Sequence, residues 1–80
     1  MAHLSEQSTV LDTCGLLCPL PMIRVQDQVR GLAPGTLLEV LATDPGTVQD
    51  IPAWCRVHGH ELVDTEREGR LIRIRLRVGR

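Results

Sequence analysis

The spacing of apolar residues along the chain changes from strand-like to helical and back. Thr9-Val10-Leu11-Asp12-Thr13 is short and rich in β-branched residues, which predicts a strand that Gly15 breaks. From Pro19 to Leu32 the apolar positions Met22, Val25, Val29 and Leu32 recur at intervals of three and four, the spacing of one helix face. Gly31 and the Pro34-Gly35 pair end that helix and turn the chain. Thr36 to Ala42 is short and almost continuously apolar, as suits a strand in the middle of a sheet with at least one face covered. A second helix is predicted from Thr47 to about His58, with Gly59 as its stop. Thr47 with Asp50 three residues on resembles a capping box, and Pro52 either kinks this helix or marks a true start near Ile51.

Glu61 to Glu66 and Arg70 to Val78 read as a hairpin around Glu68-Gly69. Its last strand alternates, with Ile72, Ile74, Leu76 and Val78 on one face and Arg73, Arg75 and Arg77 on the other. The predicted fold class is α+β: a two-layer α/β sandwich in the order β-α-β-α-β-β. A right-handed β-α-β start places two helices on one face of a mixed four-stranded sheet and the arginines on the other. Residues 1–8 are polar and unpatterned and read as a disordered tail, leaving 9–80 as a single domain.

Composition narrows the function classes. Eighty residues cannot build a second core, and no apolar run approaches the ~18 residues of a membrane span. The N-terminus lacks the basic start and apolar run of a signal peptide, which predicts a cytoplasmic protein with no membrane partner. All nine basic residues are arginine, and Trp54 is the only aromatic residue, so the base-stacking platforms of nucleic-acid binders are missing. A net charge of -1 supplies no field to attract a polyanion, which argues against direct nucleic-acid binding. Three cysteines, an odd number, argue for free thiols in a reducing compartment rather than a disulfide framework.

The most informative stretch is Gly15-Leu16-Leu17-Cys18-Pro19-Leu20-Pro21. Prolines are tolerated in the first turn of a helix, where amides have no intrahelical partner. With Pro19 as the first helical residue, Cys18 becomes the N-cap, its sulfur facing the amides of Leu20 and Met22 and the roughly half positive charge of the helix start. Such a thiol falls below the ~8.5 of a free cysteine and serves both as nucleophile and as leaving group. Pro19 and Pro21 fix the backbone so that the sulfur points outward. Asp12 and Asp44 lie at the ends of the first two strands, on the same edge as Cys18. A carboxylate touching the thiolate would raise its pKa; Asp44 reads as a cap for the loop entering the second helix, and a partner-docking role for Asp12 and Asp44 is the alternative.

Cys14, Cys18, Cys55, His58 and His60 are zinc-ligand types, but Cys55 and His58 fall toward the far end of the second helix, roughly 10–15 Å from Cys18 at the helical rise. No metal site is therefore predicted, and Cys55 beside Trp54 reads as core. The stripe Arg73, Arg75, Arg77 could contact RNA phosphates or an acidic partner, which makes a non-catalytic binding module the alternative function; Asp64 and Glu66 can instead pair with these arginines across the hairpin.

Leu11-Asp12-Thr13, Gly15-Leu16 and Cys18-Pro19-Leu20-Pro21 resemble the opening signature of the TusA/SirA sulfur-carrier family. The similarity continues through Pro34-Gly35, Thr43-Asp44-Pro45, Asp50-Ile51-Pro52, Trp54-Cys55 and Gly59-His60-Glu61-Leu62. The resemblance implies a sulfurtransferase that acts as a stoichiometric carrier, holding persulfide sulfur on Cys18 and using no cofactor of its own. It implies a cysteine desulfurase or another persulfide donor, in which pyridoxal phosphate does the carbon–sulfur cleavage, and a downstream acceptor protein in a relay ending in tRNA 2-thiouridine. Relatives serve sulfur oxidation and molybdenum-cofactor supply. Cys14 stands where many family members carry arginine or another non-thiol residue. It is either a neutral loop replacement or a second thiol able to attack a Cys18 persulfide and release sulfide.

Overall fold

The structure, a computed structural model, describes residues 8–79. Most of the tail expected over residues 1–8 lies outside the described residues. Its last residue, Ser8, opens the first strand. In chain order the elements are β1 (Ser8–Asp12), α1 (Leu20–Arg30), β2 (Leu37–Ala42), α2 (Thr47–His58), β3 (Glu61–Glu68) and β4 (Leu71–Arg77). They form one four-stranded sheet in the order β1-β2-β4-β3. β1 runs parallel to β2, and β4 is antiparallel to both β2 and β3. This is the expected β-α-β-α-β-β sandwich with a mixed sheet.

The two central strands explain why the helices pack where they do. Every second residue is apolar and turned to one side: Leu38, Val40 and Ala42 on β2, then Ile72, Ile74 and Leu76 on β4, all fully buried. Val25 and Val29 from α1, with Ile51 and Cys55 from α2, cover that surface and complete the core. The opposite side carries Leu37, Glu39 and Leu41 beside Arg77, Arg75 and Arg73, their direct cross-strand partners. A one-residue slip of either strand would move its whole apolar set off the core, so the register is strongly specified. β3, at one edge, is exposed along its whole length and studded with Glu61, Asp64, Glu66 and Glu68, which discourages pairing with another sheet. The hairpin turn falls at Gly69-Arg70, with Gly69 at φ +61°.

Helix ends depart from expectation in two places. Cys18 is not the N-cap of α1: Pro19 occupies that position, and the helix begins at Leu20. The Leu17 carbonyl accepts the Leu20 amide at 2.8 Å, and this turn shifts the helix start by one residue. At its other end, α1 stops at Arg30 with Gly31 as its C-cap, as expected. The capping box at Thr47 and Asp50 does not form. Gly46 is the N-cap of α2, and the Thr47 hydroxyl donates to the Asp44 carbonyl at 2.8 Å. α2 then continues through Pro52 to His58, where Gly59 in the left-handed conformation (φ +80°) closes it and the His60 amide donates to the Cys55 carbonyl at 2.8 Å.

Candidate functional site

Because β1 and β2 are parallel, the loops leaving them emerge at the same sheet edge and lead into the two helices. Polar bonds between the loops hold the segment that carries Cys18. The Thr13 amide and hydroxyl both donate to the Leu41 carbonyl, at 2.7 and 2.6 Å, and Thr13 is buried. The Gly15 amide donates to the Thr43 hydroxyl at 2.9 Å. Gly15 has φ +85°, a conformation that glycine adopts without steric cost. Finally the Cys18 amide donates to Asp44 Oδ2 at 2.8 Å. Asp44 therefore does more than the expected capping: one oxygen receives the Gly46 amide at 3.2 Å and the other fixes Cys18. Asp12 turns back on its own loop, accepting the Cys14 amide at 2.9 Å, and that bond lowers its pKa.

The Cys18–Pro19 peptide bond is cis. Pro21 packs into the core-facing side of the first turn, while Leu20 stays largely exposed and Met22 packs half-buried against the core. Cys18 is exposed, between Leu17 at 71% and Leu20 at 45% exposure. The sulfur thus stands in the open on a backbone fixed by a carboxylate from the neighbouring loop.

Its electrostatic setting reverses the expectation of a helix-stabilised thiolate. The Cys18 thiol donates to Asp50 Oδ2 at 3.4 Å. That hydrogen bond raises the thiol pKa above its ordinary value, with burial and the charges of Asp50 and Asp44 acting in the same direction. The Leu20 amide, expected to face the sulfur, is already used by Leu17. Asp50 is the residue that the sequence reading missed in this role. It lies in the first turn of α2, and the parallel β1–β2 pair brings the two helix starts together. The available signal was that shared edge: an acidic residue opening the second helix stands close to whatever opens the first.

The other thiols differ. Cys14 is exposed, and slight burial followed by the Asp12 carboxylate push its thiol up. Cys55 is buried in the core as expected, and desolvation pushes its thiol up to about 11. His58 and His60 lie at the far end of α2 around Trp54, whose ring stacks on His60 at 4.7 Å between centroids and tilts against His58 at 5.3 Å. A cleft of about 360 Å³ opens there between Gln26, Arg30, Trp54, His58 and His60. Among the described residues, no three His, Cys, Asp or Glu side chains are grouped to hold a metal ion.

The arginine stripe is neutralised where it stands. Arg75 pairs with Asp64 at 2.8 Å and Glu66 at 3.2 Å, and Arg73 with Glu68 at 3.3 Å and Glu39 at 3.6 Å. Arg77 reaches Glu61 at 3.9 Å and the Gly35 carbonyl at 3.3 Å. The pairing with Asp64 and Glu66 follows the cross-strand expectation, and Glu39 joins it from β2.

Comparison with known proteins gives concordant results. The family model described as sulfurtransferase TusA matches residues 9–78. A sulfur carrier protein TusA of Pseudomonas paraeruginosa is 52% identical over 59 residues, covering 74% of this chain and 75% of that protein. A putative sulfur carrier protein YrkF of Bacillus subtilis is 40% identical over 74 residues, 92% of this chain but only 40% of the Bacillus protein. In fold, the crystal structure of a SirA-like protein from Desulfitobacterium hafniense superimposes with a TM-score of 0.77 at 22% identity, covering 89% of this chain and 97% of the other.

Proposed function

This chain belongs to the TusA family of sulfurtransferases, as a sulfur carrier protein, and on that premise we propose that Cys18 is the residue that carries the sulfur, as a persulfide. The observation that carries this reading is the placement of Cys18: an exposed thiol at the approach to α1, with its amide pinned to Asp44 at 2.8 Å. Pro19, Leu20, Pro21 and Met22 frame it, and the exposed Leu17 and Leu20 give a partner an apolar surface beside the sulfur.

The chemistry is thiol–persulfide exchange. The Cys18 sulfur attacks the outer sulfur of a donor persulfide, a new sulfur–sulfur bond forms at Cys18, and the donor's own sulfur–sulfur bond breaks. The bonding pair leaves with the donor cysteine, which ends as a thiol carrying the proton that Cys18 gave up. No electrons enter or leave the pair of proteins. Delivery repeats the exchange in the same sense, with an acceptor cysteine attacking the terminal sulfur. The chain's part is to hold and present sulfur, so it needs no cofactor for this step.

A sulfur carrier implies a donor and an acceptor. The donor that fits is a cysteine desulfurase in the cytoplasm, and the route that fits is the relay to tRNA 2-thiouridine. Cells lacking this gene are expected to lose 2-thiouridine, to regain it with the wild-type chain, and not with Cys18→Ser. Restoration by Cys18→Ser would overturn the assignment of the carrier residue, and unchanged 2-thiouridine in the deletion strain would overturn the pathway.

A further inference from the structure

The contact between Cys18 and Asp50 joins the sulfur to a negative charge, the opposite of what an activated nucleophile requires. We propose that Asp50 holds Cys18 as a neutral thiol while the carrier is empty and releases the sulfur once it is loaded. The proposal deepens the reading of Cys18 as the carrier residue and rests on it.

An ionised carboxylate only accepts hydrogen bonds, so the 3.4 Å contact from Sγ to Asp50 Oδ2 exists only while the sulfur keeps its proton. Removing that proton would leave two negative charges at the same separation, with Asp44 as a third nearby. No acidic residue stands in the first turn of α1, and the charges acting on the sulfur are these two aspartates. The competing role, Asp50 as proton acceptor in the attack, is disfavoured by the ordinary gap between the two kinds of group. Thiols ordinarily titrate some four units above carboxylates, so the proton stays on sulfur.

Loading changes this balance. When Cys18 accepts sulfur, its Sγ becomes the inner atom of a persulfide and has no proton to donate. The terminal sulfur stands ~2 Å further out, and the Asp50 charge repels its anion toward solvent and partner. Loading itself then needs a donor that brings a cationic side chain to Asp50, pairing the carboxylate and freeing the thiolate. The device separates two states by electrostatics alone: held as a thiol and slow to react when empty, presented when full.

The test is the pH dependence of Cys18 alkylation by iodoacetamide in the full chain, resolved by peptide mass spectrometry so that Cys14 and Cys55 are read separately. Asp50→Asn is expected to lower the midpoint of the rate profile by about one unit, and so to speed alkylation of Cys18 near pH 7 by close to tenfold. Asp27→Asn, which removes the same charge from an exposed site on α1, is expected to leave the profile where it was. Asp50→Ser repeats the measurement if the asparagine variant melts early. An unchanged midpoint, or slower alkylation without the carboxylate, would overturn the proposal. The assay uses no sulfur donor, so it stands or falls separately from the demonstration that Cys18 accepts sulfur.

Discussion

Three cysteines in one small domain behave differently because of what lies within a few ångströms of each. Cys55 is sealed under the helices and its thiol is pushed up to about 11, whereas Cys14 and Cys18 reach solvent. A maleimide or haloacetamide applied to the native protein should therefore label Cys14 and Cys18 and reach Cys55 only after denaturation; rapid native labelling of Cys55 would contradict the packing. His60 gives a second residue-scale prediction. Its ring stacks on Trp54, its Nδ1 accepts the Gly79 amide at 3.0 Å, and burial followed by the charge of His58 lowers its pKa. The unfolded chain then binds the proton more readily, so His60 contributes stability that is fully present above the ordinary histidine pKa and is lost as pH falls through it. The melting temperature should drop on acidification below about pH 6.5, and less steeply in His60→Gln. At this scale the placement of an exposed cysteine at the approach to the first helix was legible, since proline on both sides of Leu20 has few uses other than opening a helix. The charge on it was not legible. Asp50 had a plausible local role as a capping residue, and only the pairing of two helix starts across 32 positions shows where its carboxylate goes.

Elements were easiest to read where period and burial agree. In β4 the alternation of isoleucine and leucine with arginine admits one register, and Leu38, Val40, Ile72, Ile74 and Leu76 are all fully buried, as that pattern requires. Leu38→Ala should cost about 2–5 kcal/mol in denaturant unfolding, the usual range for a large core side chain cut to a methyl. Helix ends were harder, because competing bonds of similar strength decide them: the Leu17 carbonyl takes the Leu20 amide, and Asp44 takes the amides of Cys18 and Gly46. One junction could not be seen from local pattern. Beyond β4 the chain passes so close to the end of α2 that a Cβ on Gly79 would lie 1.8 Å from the Gly59 carbonyl oxygen. Gly79→Ala must push these backbones apart and loosen the His60 contact. A lowered melting temperature and a shifted Trp54 emission are expected; a variant identical to wild type in both would show that the junction is not closed in solution.

Over the whole molecule, chemistry and charge occupy different surfaces. The helix-covered side carries the core, the edge where β1 and β2 end carries Cys18, and the open sheet face carries three arginines set among Glu39, Glu61, Asp64, Glu66 and Glu68. That face has more carboxylates than guanidinium groups, so it offers little to a phosphate backbone, and RNA binding with a steep salt dependence is not expected. The fold order and the sheet were legible because 80 residues with these periods leave few ways to cover one apolar face. Intact-protein mass spectrometry after incubation with a cysteine desulfurase and cysteine shows whether the exposed edge cysteine is the sulfur carrier. A gain of one sulfur atom is expected that persists in Cys14→Ser and Cys55→Ser and vanishes in Cys18→Ser; sulfur retained by a folded Cys18→Ser chain would overturn the assignment.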